Sequence, residues 1–294
     1  MRFLFVDRIL HSVPGERILG IKHITPDDHY LSQDDNGRFY FPSSFVGETL
    51  GQLAAWNVMK TGHFTKRPVA GVAARATLYR PAYVGDTLLL ESVIDALDDV
   101  VVQYHSIARV GDEIIFTIDG ALGPLLPMED FIEQDEVRRQ YAELDRPGEW
   151  PSATSTLIEP LNLNAQRAAT SFSFDAILSS EPGVRLSAVK KISRAASYFP
   201  DHFPNKPVLP MTVLLECQLN LAREFINRAA FETSYVAREL RRIKMNEFIY
   251  PGDVVTCSLS VKSRDESALV LSFRNEVEGK RVCVMELLLT SDVS

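Results

Sequence analysis

The sequence predicts an α+β protein in which one folding unit is built twice. Three observations carry that expectation. The chain matches itself when displaced by 168 residues, each copy holds a single long apolar helix, and each helix precedes alternating or β-branched runs that pair naturally as antiparallel strands.

Each copy opens on a β-rich segment with a Pro-Gly turn. VDRILHSVPGERI from Val6 falls on FDAILSSEPGVRL from Phe174, so that Asp7, Ile9, Leu10, Ser12, Pro14 and Gly15 all meet identical residues. The same register continues without a gap through Ile24 and Ile192, Pro42 and Pro210, and Glu48 and Glu216. The apolar helices follow, over about 44–61 in the first copy, where Gly62 is placed to stop the helix, and about 211–228 in the second. One residue is then lost, after which Gly85-Asp86 matches Gly252-Asp253. The strand candidates are ARATLYRP, DTLLLESVI, VVVQYHSIARV and EIIFTIDGAL, then RRIKMNEFI, DVVTCSLSV, ALVLSFRNEV and RVCVMELLL. A sheet wrapped around one helix, made twice, gives units at 1–127 and 166–294. Between them 128–165 has a different texture and is expected to be a solvated linker. Its acidic helix, Glu129 to Asp145, carries Phe131, Ile132 and Leu144 on one side and stops at Pro147-Gly148, and a Ser/Thr/Pro-rich stretch runs from Pro151 to Pro160.

Composition narrows the function. A chain of 294 residues with 46% apolar and 24% charged residues can bury two cores, and a net charge of −8 lacks the basic surface that general nucleic-acid binding requires. Cys217, Cys257 and Cys283 are odd in number and without CxxC spacing, so they are expected to be core thiols in a reducing compartment. Asp7 and Arg8 interrupt the apolar N-terminus, and no run of about 18 apolar residues follows, so a cytoplasmic location is expected. His11, His23, His29, His63 and His105 show no metal-type spacing, and His23 and His29 flank a PDD turn as expected loop residues. There is no nucleophile elbow, phosphate-binding glycine loop or dinucleotide fingerprint, so no cofactor is implied.

The most informative stretch is YFPDHFPNKPVLPMTVLLECQLNLA, Tyr198 to Ala222. It sets His202 in a Phe-Pro bend and follows it with an apolar helix carrying Glu216. This string resembles the active-site segment of the β-hydroxyacyl-acyl-carrier-protein dehydratases of the hotdog superfamily, whose pattern is His-Phe-Pro-x-x-Pro-x-x-Pro-Gly followed by a helical Glu. Asn205 stands at the first variable position of the bend, where the family often has glycine, and Met211 after the last proline, where the pattern has glycine, with Ser43 at the second of these positions in the first copy. The resemblance implies two hotdog folds paired within one chain, each site taking its histidine from one fold and its acid from the other.

His202 is therefore expected to work with an acid of the first copy. Glu48 and Gln52 share one helix face in FPSSFVGETLGQLAAW and resemble the family's Glu-x-x-x-Gln, with Pro42 six residues before Glu48 as Pro210 is before Glu216. The residue at the histidine position of the first copy is Asp34, which cannot take a proton as imidazole does, so a second site of Asp34 and Glu216 is expected to be a relic. The implied activity is dehydration of a 3-hydroxyacyl thioester on an acyl carrier protein or coenzyme A. His202 is its base, Glu48 its acid, the backbone N–H of Met211 the oxyanion donor, and Gln52, Phe203 and Pro210 further substrate-binding residues. Arg238, Arg241, Arg242 and Lys244 in one run, with Lys190, Lys191, Arg194 and Lys206 near His202, are a candidate basic rim for an acidic carrier. A hotdog thioesterase or enoyl-thioester hydratase, and an inactive acyl-binding hotdog protein, remain alternatives. A homodimer of the intrachain pair is a further expectation.

Overall fold

The computed structural model describes residues 3–150 and 172–291. The first copy runs through strands β1 (Arg8–Val13), β2 (Arg17–His23), β3 (Ser32–Gln33) and β4 (Phe39–Phe41) into helix α1 (Ser43–Thr61). It continues through β5 (Lys66–Pro68), β6 (Val72–Leu78), β7 (Ala82–Tyr83), β8 (Thr87–Leu97), β9 (Val101–Val110) and β10 (Glu113–Pro127). A short helix α2 (Gln134–Leu144) follows. The second copy is β11 (Ala176–Glu181), β12 (Arg185–Lys191), α3 (Met211–Ala229), β13 (Tyr235–Met245), β14 (Val254–Arg264), β15 (Ala268–Val277) and β16 (Lys280–Ser291).

The main sheet has the order β1-β2-β8-β9-β10-β6-β13-β16-β15-β14-β12-β11, with β5 paired to β10. That order reads as one copy followed by its mirror, because β6 and β13 are equivalent edges joined antiparallel. Arg75 lies opposite Arg241 and Ala73 opposite Ile243 at the junction. The architecture is two tandem hotdog folds sharing one continuous sheet. β13 begins earlier than the sequence pattern predicts because Tyr235 and Val236 extend its ladder to Ser291 and Thr290 of β16.

The repeat is visible in backbone conformation too. Gly15 and Gly183 both take φ of +75°, and Gly85 and Gly252 take +102° and +100°, the left-handed region in which a side chain is strained. Gly62 sits at the C-cap of α1 but with φ of −84°, and the left-handed turn is made instead by His63 and Phe64. The α1 helix is buried on several sides, which is why its apolar residues show little segregation to one face: Phe45, Leu50, Leu53 and Trp56 are all enclosed. Its buried Asn57 accepts from the Gly15 N–H at 2.8 Å and donates to the Val13 and Arg17 carbonyls, fixing the β1–β2 hairpin to the helix. His23 lies at the end of β2 with Nδ1 3.0 Å from Thr87 Oγ1, rather than in a loop. Among the described residues no helix is long and apolar enough to cross a membrane.

The segment expected to be a solvated linker is corrected in its described part, 128–150. Phe131 is 0% exposed, and Ile132, Val137 and Tyr141 are buried. Tyr141 packs against Trp56 and Phe64, Arg146 and Gly148 bond backbone-to-backbone with Ile9 and Leu10, and Lys60 Nζ lies 3.4 Å from Asp145. The aromatic and aliphatic residues that the acidic composition masks decide the outcome. The stretch Pro151 to Pro160 lies outside the described residues. Replacing Phe131 with Ala is expected to cost about 3–5 kcal/mol, against less than about 0.5 for a residue on a solvated tether. Urea unfolding followed by tryptophan fluorescence measures the difference.

Candidate active site

The bend preceding α3 is shaped by its own backbone. The His202 N–H bonds to the Tyr198 carbonyl at 3.0 Å, the Val208 N–H returns to the His202 carbonyl at 3.1 Å, and the His202–Phe203 peptide is cis. His202 Nδ1 lies 3.1 Å from the Val208 carbonyl oxygen. A carbonyl only accepts, so Nδ1 carries the hydrogen and the lone pair of a neutral imidazole is at Nε2. The ring stacks on Phe203 at 4.1 Å and meets Phe3 edge-on at 5.7 Å. Asn205, which departs from the family glycine, has a task here: its N–H bonds to the Phe131 carbonyl at 2.9 Å. The 128–150 segment thus pins the histidine bend, with Phe131 set edge-on to Phe203 at 5.1 Å.

The acid comes from the other copy. Glu48 is half-buried on α1, its Oε1 accepting from Gln52 Nε2 at 3.0 Å and its Oε2 from Thr212 Oγ1 at 2.9 Å. Gln52 also accepts from the Phe5 N–H and donates to the Phe3 carbonyl, so it is held from both ends and can hold Glu48 in turn. Thr212 stands at the repeat position of Ser44, and Ser44 Oγ donates to Glu216 at 2.6 Å. The two helices exchange the same bond in both directions, as a two-fold relation requires.

His202 and Glu48 line one cavity of about 400 Å³. Burial pushes the His202 imidazole below its ordinary value, the Glu48 carboxylate pulls it back in part, and the Arg67 guanidinium pushes it further down. Met211 is the first residue of α3 and lines the same cavity, at the helix end where backbone N–H groups lack intrahelical acceptors. Pro210 is the N-cap of that helix and sets its start, and Phe203 is part of the wall. Along α1 the wall is made by Gly47, Gly51 and Ala55, facing Tyr104, Phe116 and Ile118 of the sheet. A Cβ at Gly47 would stand 3.4 Å from the Phe116 ring and one at Gly51 3.5 Å from the Tyr104 hydroxyl. The Tyr104 hydroxyl is pushed up to about 12 by burial and then by the charge of Glu48.

The repeat positions of Gly47 and Gly51 are Leu215 and Leu219, both buried. The pairing expected of Asp34 with Glu216 is not assembled. Asp34 accepts from Arg38 Nε at 3.0 Å and from Tyr83, while Glu216 is 1% exposed and bonded to Ser44. Two site features escape the sequence reading: Arg67, which enters from β5, and the glycine stripe, which the repeat would have displayed as Gly against Leu. Within the basic run on β13, Arg241 pairs with Glu239 and Arg242 with Glu286, which also holds Lys262. Lys206 lies over the Phe131 and Phe248 rings, 5.1 Å from each, with Phe248 on the cavity wall.

A family model described as ApeI-like, ApeI dehydratase, matches residues 179–286. The 3-hydroxyacyl-(acyl-carrier-protein) dehydratase FabZ of Oenococcus oeni is 33% identical over 111 residues, which cover 37% of this chain and 80% of that protein. That of Caldanaerobacter subterraneus is 30% identical over 119 residues, 40% of this chain and 84% of the relative. Among solved structures, the dehydratase domain of PpsC from Mycobacterium tuberculosis in complex with C12:1-CoA has a TM-score of 0.55 at 13% identity, covering 97% of this chain and 98% of that one. An oleoyl thioesterase of Lactobacillus plantarum gives 0.58 at 10% identity, covering 95% and 99%. At these identities the structural likeness is one of fold.

Burial pushes the Glu216 carboxyl up, with the Ser44 bond acting against it. The folded chain therefore holds a proton that the unfolded chain releases above about pH 4.5, and that excess makes stability fall as pH rises from there. Glu216→Gln keeps the acceptor for Ser44 and removes the titration. The variant is expected to be more stable than the parent near pH 7 and to lose that advantage toward pH 4, as read from urea midpoints at the two pH values.

Proposed function

The chain belongs to the 3-hydroxyacyl-acyl-carrier-protein dehydratase family, and on that footing we propose that its single composite site removes water from a 3-hydroxyacyl thioester. What supports this reading is one observation: a neutral histidine from the second copy and a carboxyl from the first border the same apolar cavity. The substrate's C2 proton is weakly acidic and hydroxide is a poor leaving group, so elimination needs a base at C2 and an acid at the C3 hydroxyl. His202 Nε2 takes the C2 proton while the thioester oxygen gathers charge toward the N–H groups at the start of α3. In the reactive form the His202–Glu48 pair holds one proton, on Glu48, which passes it to the hydroxyl, and the hydroxyl leaves as water with the C3–O bonding pair. The products are the trans-2-enoyl thioester, an imidazolium and a carboxylate, and return of the proton from His202 to Glu48 resets the site.

Gln52 and Thr212 keep the carboxyl of Glu48 in place, and Phe203 keeps the imidazole flat against one wall. The acyl chain runs along Gly47, Gly51 and Ala55, where the first helix leaves the space that leucines occupy on the second. The relatives are named for acyl groups carried on a protein, which supports the same kind of carrier here, and Lys206, over the Phe248 ring of the cavity wall, is a point of attraction for an acidic carrier. A homodimer of the intrachain pair stays compatible with this reading, because the site is complete within one chain.

With 3-hydroxyacyl thioesters and enoyl absorbance as the readout, His202→Ala and Glu48→Gln are each expected to lower kcat by about 10²–10⁴-fold while Glu216→Gln turns over normally. The reverse ranking of the two glutamates would refute the assignment. Release of free thiol by the parent, undiminished in His202→Ala, would mark a thioesterase. Because the imidazole lies below its ordinary value near 6.5, its base form persists as pH falls through that point. The acid limb of kcat/KM is accordingly expected below pH 6.5.

Gly51→Leu introduces the residue of the second copy into the tunnel. It is expected to reduce kcat/KM for long acyl chains by at least about tenfold while sparing short ones, since a blocked wall removes room rather than chemistry. A chain-length series for parent and variant reads the effect.

A further inference from the structure

Arg67 has no place in the acid–base scheme, yet it occupies the same cavity. Its guanidinium carbon lies 3.7 Å from the centroid of Phe203, the ring on which His202 stacks, and 5.6 Å from that of Phe131. Its Nε is enclosed with no hydrogen-bond partner among the described residues. A cation placed so is expensive, because a ring face and a carboxylate at a distance replace only part of its hydration. Burial brings the guanidinium down to about 9, against the opposing pull of Glu48. The repeat position falls at Ser234 or Tyr235, neither of them basic, so the cation stands only beside the site that keeps its histidine.

We infer that Arg67 is a positioning residue of the dehydration site: laid on Phe203 and turned into the cavity with Glu48 and His202, its fixed charge keeps the imidazole free of a proton until an anion forms beside it. The inference rests on the function proposed above and names a further residue for it. An idle imidazolium near a half-buried guanidinium is repelled by a like charge in a partly screened site. Once the C2 proton has moved, the enolate supplies negative charge to the same cavity, and both cations face it. Arg67 thereby couples protonation of His202 to formation of the intermediate. The charged groups around His202 are Glu48 from α1, Arg67 from β5, Asp201 and Lys206 on its own bend, and Glu247 from the segment after β13, on the cavity wall. Asp201 is engaged by the Phe3 N–H at 2.6 Å.

The test follows the imidazole nitrogens of His202 by NMR through a pH titration of the ligand-free full chain, so it needs no turnover. Arg67→Met is expected to raise the titration midpoint of His202 by about half a pH unit or more, and Arg67→Lys to leave it near the parent value. Should the methionine variant not fold, Arg67→Gln, planar and uncharged, gives the same reading. An unchanged midpoint in a folded uncharged variant overturns the inference, as does a lysine variant that shifts like the neutral ones. If turnover of 3-hydroxyacyl thioesters is absent while the midpoint still moves, the electrostatic role stands and the activity falls. If turnover is present, the acid limb of kcat/KM moves upward with the midpoint.

Discussion

The antiparallel pairing of β6 with β13 is the constraint on which everything else in this molecule hangs. Joining the two equivalent edges sets the copies in a two-fold relation, and α1 and α3 then lie alongside each other beneath a single sheet. Only in that arrangement can Ser44 reach Glu216 and Thr212 reach Glu48. Only there does a bend belonging to the second copy close a cavity belonging to the first. The pairing also removes two exposed strand edges, a hazard for a chain this rich in sheet.

Much of this was legible in the sequence, because duplication writes the same information twice. Pro-Gly turns at a constant offset located both hairpins, an unbroken register from Val6 to Glu48 made Glu48 the counterpart of Glu216, and the family resemblance, with its composite sites, then paired His202 with Glu48. The fate of Asp34 was half legible. The loss of imidazole could be seen, but not the turn of its carboxylate toward Arg38 and Tyr83, which depends on a strand, β7, too short to leave a pattern. The 128–150 segment misled because composition and location separate there: Gln134 to Leu144 is polar on average, yet Val137 and Tyr141, with Phe131 and Ile132 just before the helix, are enough to bury one stripe. Arg67 was illegible, since KRP carries no periodicity and its reach into the cavity follows from β5 pairing with the far end of β10.

The packed 128–150 segment bears on the histidine bend as well as on the core. In a symmetric pair both bends would be supported alike, whereas here only the second copy's bend receives the Phe131 carbonyl at Asn205 and the Phe131 ring against Phe203. A residue that departs from the family glycine is thus matched to a segment lying between the repeats. The first copy's bend has instead become a surface ion pair, Asp34 with Arg38, of the kind that contributes little to stability.

Asymmetry of this sort is what a fused pair allows and a pair of identical subunits does not. Identical chains must keep glycine wherever either tunnel needs room, and each glycine in a helix costs about 1 kcal/mol relative to alanine. Once the copies are separate stretches of one chain, the second helix can place Leu215 and Leu219 where the first must keep Gly47 and Gly51, and so add buried apolar surface in one half. Glu216 shows the limit of that freedom. Its partner Ser44 sits one turn before Glu48 on the helix that lines the cavity shared by Glu48 and His202, so its removal would disturb the helix contact beside that cavity. The buried acid persists as part of the joint that holds its counterpart Glu48 in place.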